Sequence, residues 1–460
     1  MHRRDHRTFV DGVDFGSIFQ VQTIFRAIAS SMEPSRLIIG LGMVLVLMST
    51  GRLWDMQSGV DAITLDQSID IEALEQEREL AIAQSVTALG HTAPEGFVEW
   101  NVPQAQDHLL EAWKDYVYEG VLTVADREEF NRMYLALEEV RPKGPFEASA
   151  HYVATAWNGI VDAGLELDPV GMWLGTVAIV WELPQLLWKG GYHWFISIYG
   201  FVLIFVLCVG GGAIARMQAC WHARSHRLSM NDAIDYSLSR WRALILAIFG
   251  PAMFVAAITI VLMVMGLILL NIPWLNLIGG LLYGVSLLLG FLVAMIAVGY
   301  AACFPMLIPA VIVENCGGGE AVQRSYSYVL TKSFRFAGYL FVLVVSLVLG
   351  FLVVRLVTNV TLDLTANLVG AWTFNNSLHN AGALRDTVVP LVSITWYESS
   401  AGWLINMWET ILHYLMIGWV FSGFFSTSTM LYLLMRKVCD EQDTRDIWWK
   451  GLVQGTNVPE

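Results

Sequence analysis

Long apolar runs alternate with polar stretches along this chain, and run length settles the first question. A helix needs about 20 mostly apolar residues to cross the hydrocarbon of a bilayer. Six runs qualify. They are Leu37 to about Trp54 (short, and interrupted by Arg52), His193 to Ala215, two within Ala243–Val313, Phe336 to Val354, and Thr410 to Met435. The stretch Ala243–Val313 holds 71 residues without a charge or a histidine, and Asn271-Ile-Pro-Trp274 divides it. Its second part, Leu277 to Val313, has 37 residues. As a helix that is about 55 Å, against about 30 Å of hydrocarbon. Pro305 and Pro309 each remove a backbone donor and clash with the preceding turn. They predict a helix break, with the span ending near Cys303 and Phe304 to Val313 lying along the interface. Two shorter spans joined by a hairpin also fit the length, but would send Arg324, Lys332 and Arg335 outside. Gly171 to Trp188 is apolar but contains Glu182 and Pro184. It reads as a helix on the outer interface rather than as a seventh span.

A second pattern lies between the spans. Residues 231–240 read N-D-A-I-D-Y-S-L-S-R, and residues 319–328 read G-E-A-V-Q-R-S-Y-S-Y, 88 positions on. Taken as a helix, the first phrase gathers Met230, Ala233, Ile234, Ser237, Leu238 and Trp241 on one face. The second gathers Ala321, Val322, Ser325, Tyr326 and Val329. Asp232 and Glu320 fall in the first turn, at the positive end of the helix dipole. Ser229 stands where a capping residue would. Gly211-Gly-Ala and Gly299-Tyr-Ala keep the same offset upstream. These features predict an internal repeat of span, amphipathic elbow helix and span, in parallel copies. Its structural elbow residues are Asp232, Ala233, Ser237, Glu320, Ala321 and Ser325. A third elbow is expected over Phe15 to Met32, where Ile18, Val21, Phe25 and Ile28 form an apolar stripe ahead of Pro34.

Charge gives the assembly a direction. Of 460 residues, 55% are hydrophobic and 15% charged, below the roughly 25% charged residues of soluble chains. Residues 55–190 hold 24 acids against 7 bases, whereas the remainder holds 17 acids and 20 bases. Lys and Arg near span ends favour the cytoplasmic side. The segments 1–36, 216–242, 314–335 and 436–460 hold 17 of the 27 basic residues. Both termini are therefore expected inside and the acidic block outside. The five cysteines all lie beyond that block, so no disulfide supports it. The basic N-terminus resembles that of a signal peptide, but no small-residue cleavage site follows the first apolar run, which reads as an uncleaved anchor.

The expected fold is all-α, a polytopic helical membrane protein of about six transmembrane helices with cytoplasmic elbow helices and a helical extracytoplasmic insert. Its expected parts are a cytoplasmic segment 1–36, a first span 37–54, the acidic domain 55–190, spans two to five within 193–358, an outer loop 359–409, a sixth span 410–435 and a cytoplasmic tail 436–460. Within the acidic domain, Asp66 to Leu89 is rich in helix formers. Apolar stripes recur at Leu109, Leu110, Trp113 and Val117, at Phe130, Met133, Leu137 and Val140, and at Val153, Trp157, Ile160 and Val161.

The run F-P-M-L-I-P-A-V-I-V-E-N, followed by E-A-V-Q-R-S-Y-S-Y and a span, resembles a pattern in uncharacterised bacterial multi-pass membrane proteins. It is distantly similar to the membrane module attached to some glycerophosphodiester phosphodiesterases. The resemblance covers about residues 193–358 and implies a helical scaffold. It implies no activity, because nothing in this chain could supply that family's catalytic barrel.

Candidate chemistry is sparse. His222 and His226 lie one helical turn apart near Cys220, but Arg224 and Arg227 interleave and repel a cation, so a basic helix on anionic headgroups is expected. The run F-S-T-S-T-M over residues 425–430 reads as hydroxyls used in helix packing. Paired acids such as Glu128-Glu129 and Glu138-Glu139 read as a solvated face. No catalytic, cofactor-binding or metal site is expected. The expected partners are the lipid bilayer and a protein docking on the acidic domain, with no nucleic acid. The expected function is a non-enzymatic scaffold or subunit of a bacterial inner membrane. The alternative is a permease or channel-like subunit for an uncharged or lipid-like substrate.

Overall fold

The computed structural model describes residues 21–58, 71–87, 100–119, 124–141, 143–372 and 396–449. Helix supplies all the regular structure among them. The elements, in order, are α1 (Val21–Ser31), α2 (Pro34–Ser58), α3 (Ile71–Val86), α4 (Val102–Glu119), α5 (Val124–Val140), α6 (Pro145–Leu165), α7 (Pro169–Val177) and α8 (Leu183–Lys189). They continue with α9 (His193–Arg224), α10 (Met230–Ser239), α11 (Trp241–Met265), α12 (Leu275–Glu314), α13 (Gly318–Thr331), α14 (Ser333–Gly370) and α15 (Trp396–Asp440).

Seven helical stretches are long and apolar enough to cross a membrane, and the chain is a multi-pass membrane protein. The count exceeds the expected six by Pro169–Lys189. There α7, a π-helical turn (Ala178–Glu182) and α8 run on as one stretch past Glu182 and Pro184. Pro184 lies inside that stretch, where its missing N–H removes one intrahelical bond, and the π-helical turn sits just before it.

The helices also outrun their hydrophobic spans. α14 continues to Gly370 and α15 begins at Trp396, so the expected loop 359–409 is helical at both ends. Residues 373–395 lie outside the described residues. The expected break at Pro305 and Pro309 is absent, and α12 passes through both. Each proline removes one hydrogen bond and crowds the carbonyl four residues earlier. Met306 to Val313 are nonetheless buried almost completely, and that packing holds the helix. At 40 residues, α12 is about 60 Å long, twice the hydrocarbon thickness.

The chain divides into two compact units. The first contains residues 1–43, 204–350 and 418–460. Its core joins Cys208 and Ile214 of α9, Ala233 of α10, Leu244 of α11, the end of α12, Ala321 of α13, Tyr339 of α14 and Leu431 to Met435 of α15. α2 and α15 cross backbone to backbone at Gly40 and Gly418. A methyl group on Gly418 would lie 2.7 Å from the Leu41 nitrogen. Small residues at such crossings let bilayer helices gain close packing. α11 and α12 form a hairpin that turns at Trp274, whose φ is 71°. Between residues 252 and 302 Gly279 alone is buried. The hairpin's surface is apolar all round, as lipid contact requires.

The second unit contains residues 44–203 and 351–417. α3, α4 and α5 share a small core of Val86, Val102, Leu109, Trp113, Phe130 and Leu137, with the Trp113 and Phe130 rings stacked at 4.5 Å. The stripes read from the sequence supply most of it. The side chain of Val117 lies outside the described residues, as do those of Glu128 and Glu139. α6 starts at Pro145, and the Asp55 carboxylate accepts from the Phe146 and Glu147 amides, both at 2.9 Å. That arrangement satisfies two orphan donors and places an anion at the positive helix end. A second cluster packs Phe146 with Leu183, Leu187 and Phe195, and Phe195 stacks on Tyr199 at 5.0 Å.

Candidate functional site

The elbow helices are the starting point within the first unit. In α10, the Ser229 hydroxyl accepts from the Asp232 amide at 3.2 Å and donates to the Asp232 carboxylate at 2.6 Å. Ala233 and Ser237 are fully buried, and Ser237 Oγ donates to the Cys208 carbonyl at 3.3 Å. In α13, Ala321 and Ser325 are fully buried, and Tyr326 donates to the Ile296 carbonyl at 2.6 Å. Asp232 and Glu320 are exposed in the first turns. Leu238 and Trp241, expected to face inward, are 40% and 39% exposed. Tyr328, absent from the expected stripe, is buried.

α1 departs from expectation in the same sense. Ile24, Ala27 and Ser31 are buried, while Phe25 is 48% exposed. Ile18 and the side chain of Val21 lie outside the described residues. The reason is physical. Beside lipid, large apolar side chains lose nothing by facing outward, so small residues take the close contacts.

Beyond α13 lies a buried charged joint. Glu314 ends α12 with its side chain 1% exposed. Its carboxylate accepts from Arg436 Nη1 at 2.6 Å and Tyr432 at 3.1 Å, and Arg324 stands 3.6 Å away. Arg436 Nη2 donates to the Asp443 carbonyl at 3.0 Å and to that of Asp446. Tyr328 donates to the Asp440 carboxylate. Arg324 also binds Glu320 at 2.8 Å. The joint thus ties α12, α13, α15 and the segment after α15. Trp448 adds a backbone bond to the Val313 carbonyl at 3.0 Å.

Burial alone would lower the Arg324 guanidinium. The hydrogen bond to Glu320 and the charge of Glu314 outweigh it, so Arg324 is raised and stays cationic. Burial, then the bond to and charge of Asp440, raise Tyr328. Cys316 is pushed up to about 11 by burial, then by Glu320 and Glu314. A thiol so placed is a poor nucleophile at neutral pH.

A second polar knot surrounds Arg36, which is fully buried. Its Nη1 donates to the Ser30 carbonyl and hydroxyl, both at 3.0 Å, and to Gln218, while Nη2 lies 3.2 Å from Glu33. Ser422 of α15 donates to the Ser31 carbonyl at 2.8 Å. In the run over residues 425–430, Thr427 and Thr429 donate to Gly423 and Phe425 of their own helix, both at 2.7 Å. Gly210 and Gly211 face Met43 and Phe425 closely, as a packing role requires.

His222 and His226 part company. His222 pairs with Thr444 at 3.1 Å, and His226 meets the edge of Trp449. Among the described residues no cluster of three or more His, Cys, Asp or Glu could hold a metal.

Glu314, Arg436, Arg36 and Gln218 escape a reading based on span length, because each falls just past the end of an apolar run. Tyr432 and Arg436, one helical turn apart, were the available signal for one partner carboxylate. Chemically, the joint is a carboxylate whose Oε1 accepts from one guanidinium and one phenol, with a second guanidinium 3.6 Å from Oε2. It is built to clamp. No known protein family, curated protein or solved structure matches the chain.

Proposed function

We propose that this chain is a non-enzymatic scaffold or subunit of a bacterial cytoplasmic membrane. In this reading six of the seven long apolar stretches cross the membrane and Pro169–Lys189 lies on the outer interface, so both termini lie inside, and the acidic domain outside recruits a partner that presents a cationic surface. The observation that carries this reading is the Glu314 joint. Ionisable groups within membrane helices mark relays or pathways by default. Here the buried carboxylate is instead spent on Arg436, Tyr432 and Arg324, holding chain segments together.

The elbows belong to a parallel repeat of about 88 residues in this reading. Ala233 and Ser237 match Ala321 and Ser325 in position and burial. The receiving carbonyls, Cys208 and Ile296, keep the same offset, but the donors do not: Ser237 serves the first and Tyr326 the second, while the Ser325 hydroxyl has no hydrogen-bond partner. Ala27 and Ser31 of α1 repeat the four-residue spacing and the burial, which supports a third elbow. The resemblance to multi-pass modules without a catalytic barrel points the same way.

One observation favours the alternative, a permease for an uncharged or lipid-like substrate. The hydroxyls of Ser426 and Ser428, buried within α15, have no hydrogen-bond partner. Two measurements separate the readings. Scaffolding predicts a co-purifying partner that is lost on deletion of residues 60–165, and no substrate-dependent flux in vesicles of purified protein. Flux that survives the deletion would overturn it.

A further inference from the structure

Arg216 differs from the other buried arginines of the first unit. It lies on α9, two turns before the helix ends, and is 4% exposed. Arg436 has Glu314 and Arg36 has Glu33. No carboxylate among the described residues pairs with Arg216. Its Nη2 donates to the Trp448 carbonyl at 3.0 Å, and its Nη1 is buried without a hydrogen-bond partner. Aromatic faces enclose the guanidinium, with Tyr236 at 4.5 Å, Trp449 at 5.5 Å and Trp448 at 5.8 Å.

Those rings attract a cation through their quadrupoles but bring no net negative charge. The partial negative charge at the end of α9 fades within its last turn and does not reach Arg216. The surroundings add more positive charge. Arg224, eight residues on and exposed, stacks on Trp449 at 5.0 Å. Arg445, Arg26 and Lys437 act electrostatically on His222 nearby, with Asp443 the opposing acid. A buried cation without a counter-charge is strongly unfavourable, and here a donor is left open beside it.

We propose that Arg216, Arg224 and the Trp448–Trp449 wall form an anion site for a phosphate group, carried on an anionic lipid or free in solution. Guanidinium donors match phosphate oxygens in geometry and charge. Tryptophan rings favour the headgroup level of a bilayer, and basic pockets between membrane helices bind anionic headgroups.

The test uses the full chain purified in a nonionic detergent, with thermal unfolding followed by tryptophan fluorescence. One arm adds potassium phosphate against potassium chloride at equal ionic strength. The other adds phosphatidylglycerol micelles against phosphatidylcholine micelles. The site predicts a rise of several degrees in at least one arm, lost in Arg216→Gln and reduced in Arg224→Gln. A rise with phosphatidylglycerol alone assigns a lipid headgroup, and a rise with phosphate assigns the free ion. Should Arg216→Gln fail to accumulate, the variant at the exposed Arg224, Arg224→Gln, decides. No rise in either arm, or a rise of equal size in Arg224→Gln, overturns the proposal.

Discussion

Glu314 carries more of the first unit than any reading of its neighbours suggests. Removing one partner of a buried ion pair strands the other charge. Glu314→Ala should therefore lower stability by about 3–5 kcal/mol, seen as a fall in the unfolding midpoint in detergent. Tyr432→Phe removes one donor to a charged carboxylate and should cost about 1.5–3 kcal/mol. In the double variant the two losses should fall short of their sum, because each single change already removes the Tyr432–Glu314 hydrogen bond. The acid was visible in the sequence, sitting next to 71 uncharged residues. Its role was not. Arg436 is 122 positions away, and nothing local to either residue says that the two ends meet. Arg36 and Gln218 were hidden in the same way.

At the scale of elements, the spans were legible because apolar run length is a strong local signal. The elbows were legible because polar and apolar positions recur at helical spacing and at a fixed offset. One local rule failed where tertiary packing overrode it, and one was only partly right. Pro305 and Pro309 read as a break, yet α12 continues because its end is packed on all sides. The small members of the elbow stripe, Ala233, Ser237, Ala321 and Ser325, are buried as read, whereas its large C-terminal members Leu238 and Trp241 face out. In a bilayer, close backbone approach decides which face turns inward. The crossing of α2 and α15 makes the point testable. Gly418→Leu should reduce the amount of folded protein recovered from membranes, because its Cβ would strike the backbone near Leu41. Gly42→Leu, with nothing within 4 Å of the added Cβ, should accumulate normally.

For the whole molecule, the proposed topology makes one direct demand. A cysteine introduced at Ser327 should react with an impermeant maleimide only after the inner face is opened. One at Glu77 should react in intact cells. Both positions are exposed, so accessibility rather than burial governs the outcome. The second unit was legible in its separate stripes, since Leu109, Trp113, Phe130 and Leu137 all entered its core. The anchoring of α6 by Asp55 was not, because that contact spans 91 residues. The core of the first unit gathers α1, the stretch from α9 to α14, and α15, and so draws on both ends of the described chain. A ribosome delivers these parts in order. Until α15 leaves the translocon, the Glu314 carboxylate and the Ser31 carbonyl wait without Arg436 and Ser422. The core of the first unit is therefore complete only once α15 arrives, and a quality-control protease could tell finished molecules from unfinished ones by that missing helix.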